Sequence, residues 1–288
     1  MPTPAPSATA TSRAVRRAIH WGARLRIRHW AHFLVLPLAA FSPSSEGHPF
    51  ASLALVRGVA IAGSILAFGY LLNGITDRSL DRDPEKNPFV AEPAGPVHGR
   101  VAITLAGVAL ALALTGPLVV VAATLTALLA GAAYSAGPRL KRFPFIGTFL
   151  NAACFAPLLF VGAAGELRRD TPLLALAFTA LLLENQLLHE GEDAAEDRDA
   201  GIRTTYAVLG PVGAAGLMAL FGLGVAAAVH MLGGGAWPTA LAACVFALLF
   251  PVACMSSRDD KARLHRLRAV HRLAGVVAGA LVYVLARA

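Results

Sequence analysis

Two short acidic stretches stand out in an otherwise apolar chain of 288 residues. The first reads NGITDRSLDRD over 73–83, and the second reads HEGEDAAEDRDAG over 189–201. The windows 77–92 and 184–199 together hold twelve of the seventeen carboxylates. The acidic residues are therefore concentrated at two points of the chain.

Both stretches carry three polar residues at intervals of four. These are Asn73, Asp77 and Asp81 in the first column, and His189, Asp193 and Asp197 in the second column. Residues four apart on a helix lie on one face. Each stretch is therefore predicted to present a column of polar groups toward one point.

The carboxylates of these columns predict a metal site. Two columns of Asp that converge would repel each other unless a cation lay between them, and hard oxygen ligands favour Mg²⁺ or Ca²⁺ over zinc. Mg²⁺ binds through one or two carboxylates together with phosphate oxygens. We therefore interpret Asp77, Asp81, Asp193 and Asp197 as catalytic ligands of Mg²⁺ ions that bridge a diphosphate. Replacing Asp77 or Asp193 with Ala is expected to abolish turnover and to leave folding largely intact.

Further polar residues near the columns are predicted to bind substrate. Cations would neutralise the remaining phosphate charge, although a topology signal is the alternative reading of the basic turn at 139–142. Polar residues at the ends of the apolar segments would line a cavity around the bound diphosphate. The predicted set is Asn73, Lys86, Arg139, Lys141, Asn185, His189 and Arg203.

The composition indicates an all-α integral membrane protein, with 56% hydrophobic and 15% charged residues. Several apolar runs reach the roughly 20 residues that cross a bilayer as helix. We count nine predicted spans, at about 29–45, 51–73, 99–115, 117–135, 144–164, 172–183, 206–231, 236–254 and 270–287. The net charge of +8 fits membrane topology rather than nucleic-acid binding. The three cysteines form no CxxC pair, so neither zinc nor disulfides are expected.

The distribution of basic residues predicts the orientation. If the N-terminus is cytoplasmic, the loops on that side hold 21 of the 25 Lys and Arg residues, as the positive-inside rule requires. Both columns then face the cytoplasm, and a bacterial inner membrane is the expected location. Residues 1–28 are interpreted as a basic cytoplasmic tail, with an organelle transit peptide as the alternative.

The arrangement of residues 29–288 predicts one membrane domain built from two related halves, about 29–143 and 144–288. An apolar segment ends in a polar column twice, at Asp77 and again at Asp193. A basic connection follows two segments later each time. Such duplication is common in membrane folds that enclose a site between their halves.

Three motifs make the chain resemble the UbiA-type intramembrane prenyltransferase superfamily over nearly its whole length. They are NGITDRSLD at 73–81, YSAGPRLKRFP at 134–144 and DAAEDRDAGIRT at 193–204. The family's first motif is usually written NDxxDxxxD, so Gly74 stands where a second Asp is usual. The second motif is matched by Asp193, Asp197 and Gly201. If Gly74 marks a subgroup, Gly74→Asp is expected to have little effect.

The resemblance implies a nine-helix bundle around a central cavity that the two Asp-bearing loops roof. It adds Tyr134 to the predicted substrate-binding residues. It further implies Mg²⁺-dependent ionisation of an allylic polyprenyl diphosphate and transfer of the carbocation to an acceptor, aromatic or lipid-like, within the bilayer.

Two other classes stay open at this point. An intramembrane terpene cyclase would share the Asp motifs and use an internal double bond as its nucleophile. A cation-coupled transporter would carry its acids near the membrane midplane on broken helices. Most of the acids here are predicted at helix ends on one side, which favours the enzymes.

Overall fold

A computed structural model describes residues 10–41, 50–81, 83–84, 87–137, 139–164, 167–199, 201–258 and 260–285. Within these ranges the chain is helical and contains no β-strand. The α-helices are α1 (Ala10–Arg24), α2 (Ile27–Trp30), α3 (Phe50–Asp77), α4 (Pro96–Ala113), α5 (Leu118–Ser135), α6 (Ile146–Phe155), α7 (Thr171–Glu192), α8 (Ala194–Asp199), α9 (Thr205–Met231), α10 (Ala236–Ala242), α11 (Phe250–Ser256) and α12 (Lys261–Leu285).

Six helical segments of the described chain are long and apolar enough to cross a membrane. They are α3, from Leu53 onward, α4, α5, α7, α9 and the continuous segment Ala236–Ser256, in which a π-helix joins α10 to α11. The six correspond to the predicted spans two, three, four, six, seven and eight. The all-α membrane class predicted from composition is therefore confirmed.

The three remaining predicted spans have other forms. The first is replaced by α2 and a 3-10 segment, Ala31–Ala39, that contains Pro37; its last residues lie outside the described chain. The fifth is the shorter apolar helix Ile146–Leu159, whose last turn becomes 3-10 at Pro157, because proline has no N–H to continue the α-helical ladder. The ninth is α12, which begins nine residues before the predicted 270 and is basic in its first half.

Among the described residues, the buried side chains form one larger apolar core, one smaller core and a third, small cluster of Leu71, Phe89 and Ala102. The larger core joins α3, α4, α5 and the segments around 31–40 and 156–163, with Ile61, Val120 and Leu158 fully buried. The smaller core joins α7, α9, α12 and the segment 243–256, with Leu187 and Met218 fully buried. Helix α7 packs against α6, α9 and α12, so the second column projects from the centre of this packing.

The N-terminal helix α1 packs near the loop that follows the first column. The Trp21 and His98 rings lie 5.4 Å apart. The Arg24 guanidinium forms an ion pair with Glu92 and lies 4.8 Å from the centre of the Phe89 ring. These contacts fix the loop between α3 and α4, which reaches the site described next.

Candidate active site

The first column lies at the end of α3. Asn73 and Asp77 are one helical turn apart, and α3 ends at Asp77. The backbone N–H of Asp81 donates to the Asp77 carbonyl at 2.9 Å, so the four-residue spacing persists for one turn beyond the regular helix. The predicted column is therefore present, with Asp81 on a turn rather than within the helix.

Asp77 makes direct contact with two cations. Arg139 Nη2 donates to Asp77 Oδ1 at 2.6 Å, and Lys141 Nζ forms an ion pair with Oδ2. Arg139 also donates to the Thr76 carbonyl at 2.6 Å, and Lys141 to Asn73 Oδ1 at 3.3 Å. Asp77 is buried, with 7% of its surface exposed. The structure thus joins the first motif to the basic turn through direct contacts that the sequence did not predict.

The basic turn owes its geometry to Arg139 and Ser135. Arg139 adopts the left-handed conformation, with φ of 51°, which is uncommon for a residue with a Cβ. It separates α5 from the 3-10 turn Leu140–Arg142 and so turns the chain back toward α3. Ser135, at the end of α5, donates to Asn73 Oδ1 at 3.1 Å. Strain of this kind is typical of functional sites.

Lys141 also lies beside Tyr134, the aromatic residue that the resemblance placed in the site. Lys141 Nζ is 5.7 Å from the centre of the Tyr134 ring. Burial lowers the pKa of the Lys141 ammonium, and the Asp77 carboxylate opposes that shift. Lys141 is therefore a desolvated cation that depends on a neighbouring anion.

Asn87 holds Asp81, and no pattern in the sequence predicted this role. The fully buried Asn87 amide donates to Asp81 Oδ2 at 2.8 Å and to the Gly74 carbonyl at 2.9 Å, while its oxygen accepts from the Phe89 N–H at 3.1 Å. A Cβ on Gly74 would lie 3.0 Å from the Phe89 ring and 3.4 Å from Asn87 Oδ1. Gly74 therefore faces this buried cluster, away from the column.

The second column spans the junction of α7 and α8. Asp193 caps α7, and its carboxylate lies 3.3 Å from His189 Nδ1. Backbone hydrogen bonds run from Asp193 N–H to the His189 carbonyl at 3.0 Å and from Asp197 N–H to the Asp193 carbonyl at 2.9 Å. Gly201, with φ of 68°, then ends the helical path, and the Ile202 N–H donates to the Asp197 carbonyl at 2.8 Å. The Gly of the motif thus serves as a helix stop.

Glu190 ties the second column to the rest of the bundle. This buried carboxylate accepts from Thr148 Oγ1 at 2.7 Å, from the Tyr206 N–H at 2.9 Å and from Gln186 Nε2 at 3.3 Å. Thr148 in turn lies 2.6 Å from Thr205 Oγ1. One side chain thereby connects α6, α7 and the N-terminus of α9. The sequence placed Glu190 in the acidic stretch and did not predict this role.

Three predicted residues lie apart from the Asp77 cluster or outside the described chain. Asn185 Nδ2 lies 3.4 Å from Nδ1 of His271, a residue of α12. Arg203 is exposed in the turn before α9. Lys86 lies outside the residues that the structure describes.

The donor set of the two columns fits Mg²⁺. Within the described chain, no three His, Cys, Asp or Glu side chains come together as a metal cage. Mg²⁺ commonly takes only one or two carboxylates and completes its shell with phosphate oxygens and water. The first column offers two carboxylates, Asp77 and Asp81, and the second column offers two more, Asp193 and Asp197.

Comparisons with known proteins identify the family. The model of the UbiA prenyltransferase family matches residues 33–274. A digeranylgeranylglyceryl phosphate synthase from Halobacterium salinarum is 32% identical over 232 residues, which cover 77% of this chain and 80% of that protein.

Solved structures share the fold. A digeranylgeranylglyceryl phosphate synthase matches with a TM-score of 0.73 at 16% identity, over 95% of this chain and 100% of that one. A UbiA homologue from Archaeoglobus fulgidus, bound to GPP and Mg²⁺, matches with a TM-score of 0.67 at 20% identity, over 93% and 99%.

Fold and site together define an integral membrane enzyme built to handle a charged group at one end of an apolar bundle. The chain belongs to the UbiA prenyltransferase family. The resemblance inferred from the three motifs is confirmed.

Proposed function

We propose that this prenyltransferase moves a polyprenyl group from an allylic polyprenyl diphosphate to a hydrophobic acceptor in the bilayer, in a Mg²⁺-dependent reaction. The contact of Asp77 with Arg139 and Lys141 carries the proposal. One carboxylate for an ion and two cations for phosphate oxygens meet at the end of an apolar helix, and a metal-bound diphosphate needs both. The Archaeoglobus fulgidus homologue, solved with GPP and Mg²⁺, supports the same assignment.

The residues divide into ligands and phosphate contacts. Asp77 and Asp81 would hold one ion, and Asp193 and Asp197 another. Mg²⁺ supplies stabilisation of the negative charge that develops on the leaving diphosphate. Arg139 and Lys141 bind the phosphate oxygens and balance the same charge.

The remaining predicted substrate contacts would line the cavity around this centre; they are Asn73, Lys86, Tyr134, Asn185, His189 and Arg203. When the bond between C1 and the diphosphate oxygen breaks, its electron pair leaves with the diphosphate. The apolar walls exclude water from the allylic carbocation. The nucleophilic atom of the acceptor then bonds to C1, and the acceptor releases a proton.

For the membrane arrangement we propose nine spans in two halves, about 29–143 and 144–288, in a bacterial inner membrane. Six long apolar helices support most of that count. The short helix Ile146–Leu159, the segment Ala31–Ala39 and the apolar end of α12 would supply the other three. The concentration of basic residues in alternate loops supports a cytoplasmic N-terminus and a cytoplasmic entrance to both columns.

The acceptor is proposed to be lipid-like rather than aromatic. The Halobacterium salinarum relative is named for a glyceryl phosphate lipid, and it is similar over most of both chains. Parallel assays with a prenylated glyceryl phosphate and with a hydroxybenzoate would separate the two classes.

The reaction is tested with purified protein, Mg²⁺ and allylic diphosphates of several lengths, with and without a membrane extract. Pyrophosphate release that depends on the extract, together with a prenylated lipid, is the expected result. Release without extract and with a cyclised hydrocarbon would show a terpene cyclase. No Mg²⁺-dependent release under any condition would overturn the proposal.

A further inference from the structure

Each Asp of the second column is preceded by a Glu. Glu192 and Glu196 are four residues apart, as Asp193 and Asp197 are. Consecutive residues on a helix are separated by about 100°, and the backbone hydrogen bonds described above carry the helical path through Asp193. The Glu pair and the Asp pair therefore occupy two adjacent faces of one helical rod.

The Glu face is in direct contact with α12. His265 Nδ1 lies 2.7 Å from Glu192 Oε1, and Arg268 Nη1 donates to Glu192 Oε2 at 3.1 Å. Lys261 Nζ forms an ion pair with Glu196. Lys261, His265 and Arg268 follow one another at four and three residues, so they share one face of α12. A basic row thus meets an acidic row.

The segment that these contacts hold has little support of its own. Helix α8 has six residues, well below the length at which a helix is stable alone. It joins α7 through Asp193, whose ψ of 1° departs from the helical value, and it ends at Asp199. The contacts with α12 bridge 65 to 76 residues of sequence and lie on both sides of the junction, with Glu192 at the end of α7 and Glu196 in α8.

We propose that α12 clamps the α7–α8 junction and thereby orients Asp193 and Asp197 toward a divalent cation, with Lys261, His265 and Arg268 as positioning residues. The clamp deepens the proposed function, since it rests on ion binding at the second column. Loosening it weakens cation affinity while turnover at saturating Mg²⁺ stays near that of the parent, because none of the three side chains belongs to the proposed site.

The direction in which cation affinity changes distinguishes a positioning role from a purely electrostatic one. Lys261→Glu adds negative charge near the second column, and Coulomb attraction alone would tighten cation binding. Loss of the clamp weakens it instead. Arg266→Glu on the same helix makes the same change in charge and is the matched control, because Arg266 is exposed and makes no ion pair with the described residues.

The experiment measures Mn²⁺ binding by electron paramagnetic resonance, with full-length protein in detergent and inorganic pyrophosphate present. We expect Lys261→Glu to weaken binding about twofold to fivefold, as the loss of an exposed ion pair allows. Arg266→Glu should match the parent or bind more tightly. The swap of Lys261→Glu with Glu196→Lys should restore affinity, and the Mg²⁺ dependence of pyrophosphate release should shift in parallel.

Equal Mn²⁺ affinities of the Lys261→Glu and Arg266→Glu variants would overturn the clamp. It would also be overturned if the swap variant bound Mn²⁺ weakly while its thermal unfolding matched that of the parent. Mn²⁺ binding without pyrophosphate release in the parent protein would refute the proposed reaction, and the comparison of affinities would still decide the clamp.

Discussion

Asp77→Ala should cost stability as well as activity, which replaces the expectation from the sequence that folding would stay largely intact. Asp77 is the anionic partner of Arg139 and Lys141, whose side chains are only 18% and 15% exposed. Removing one member of a buried ion pair leaves charge uncompensated and costs about 3–5 kcal/mol. Because both cations keep some contact with solvent, we take the lower end, about 3 kcal/mol. At about 2–4 °C per kcal/mol, the midpoint of thermal unfolding should fall by about 6–12 °C.

The assay is thermal unfolding of the purified protein in detergent, followed by tryptophan fluorescence. Asp81→Ala is the matched control, since Asp81 accepts from the neutral Asn87 amide and should lose activity with a smaller loss of stability. Adding Lys141→Met to Asp77→Ala should recover part of the midpoint, because an apolar residue replaces the unpaired cation. If Asp77→Ala unfolds within about 2 °C of Asp81→Ala, the ion pairs do not stabilise the fold as argued.

Two further substitutions test the surroundings of the columns. Gly74→Asp should destabilise the protein by about 1–3 kcal/mol through overpacking, because the new side chain would meet the buried Phe89 ring. Gly74→Ala, with a smaller side chain, is the control. An Asp variant with the thermal stability of the parent and higher activity would contradict this placement of Gly74. Glu190→Met should cost about 1–3 kcal/mol, because the buried Tyr206 N–H loses its acceptor, while Thr148 keeps its contact with Thr205. Glu190→Gln keeps an acceptor oxygen and should lose less in the same unfolding assay; equal losses would argue against the hydrogen bonds.

The sequence predicted those parts of the fold that depend on local pattern. Apolar length located the six long helices, and four-residue spacing located Asp77 and Asp193 at helix ends. It failed where one residue changes the local backbone. Pro37 lies in a segment that is 3-10 rather than α-helical, and the basic first half of α12 concealed a helix that begins at Lys261.

The motif residues of the site were predictable, but their contacts with one another were not. Asn73, Asp77, Arg139 and Lys141 meet in the structure, whereas the sequence predicted only that the two cations would bind phosphate. Asn87 was missed because an asparagine in a loop has no periodic signal, and its role depends on a chain reversal between α3 and α4. Gly74→Asp was expected from the sequence to have little effect. The structure predicts destabilisation instead, because the Phe89 ring faces Gly74.

The paired cations of the basic turn also bear on how a reaction cycle closes. Under the proposed function, a phosphate group that binds Arg139 and Lys141 would compete with Asp77, an anion that is part of the chain and does not diffuse away. When a diphosphate leaves, both cations can form their ion pairs with Asp77 again. Product release therefore does not leave Arg139 and Lys141 without an anion. Competition from Asp77 would lower the affinity for the diphosphate product and would thereby speed its release.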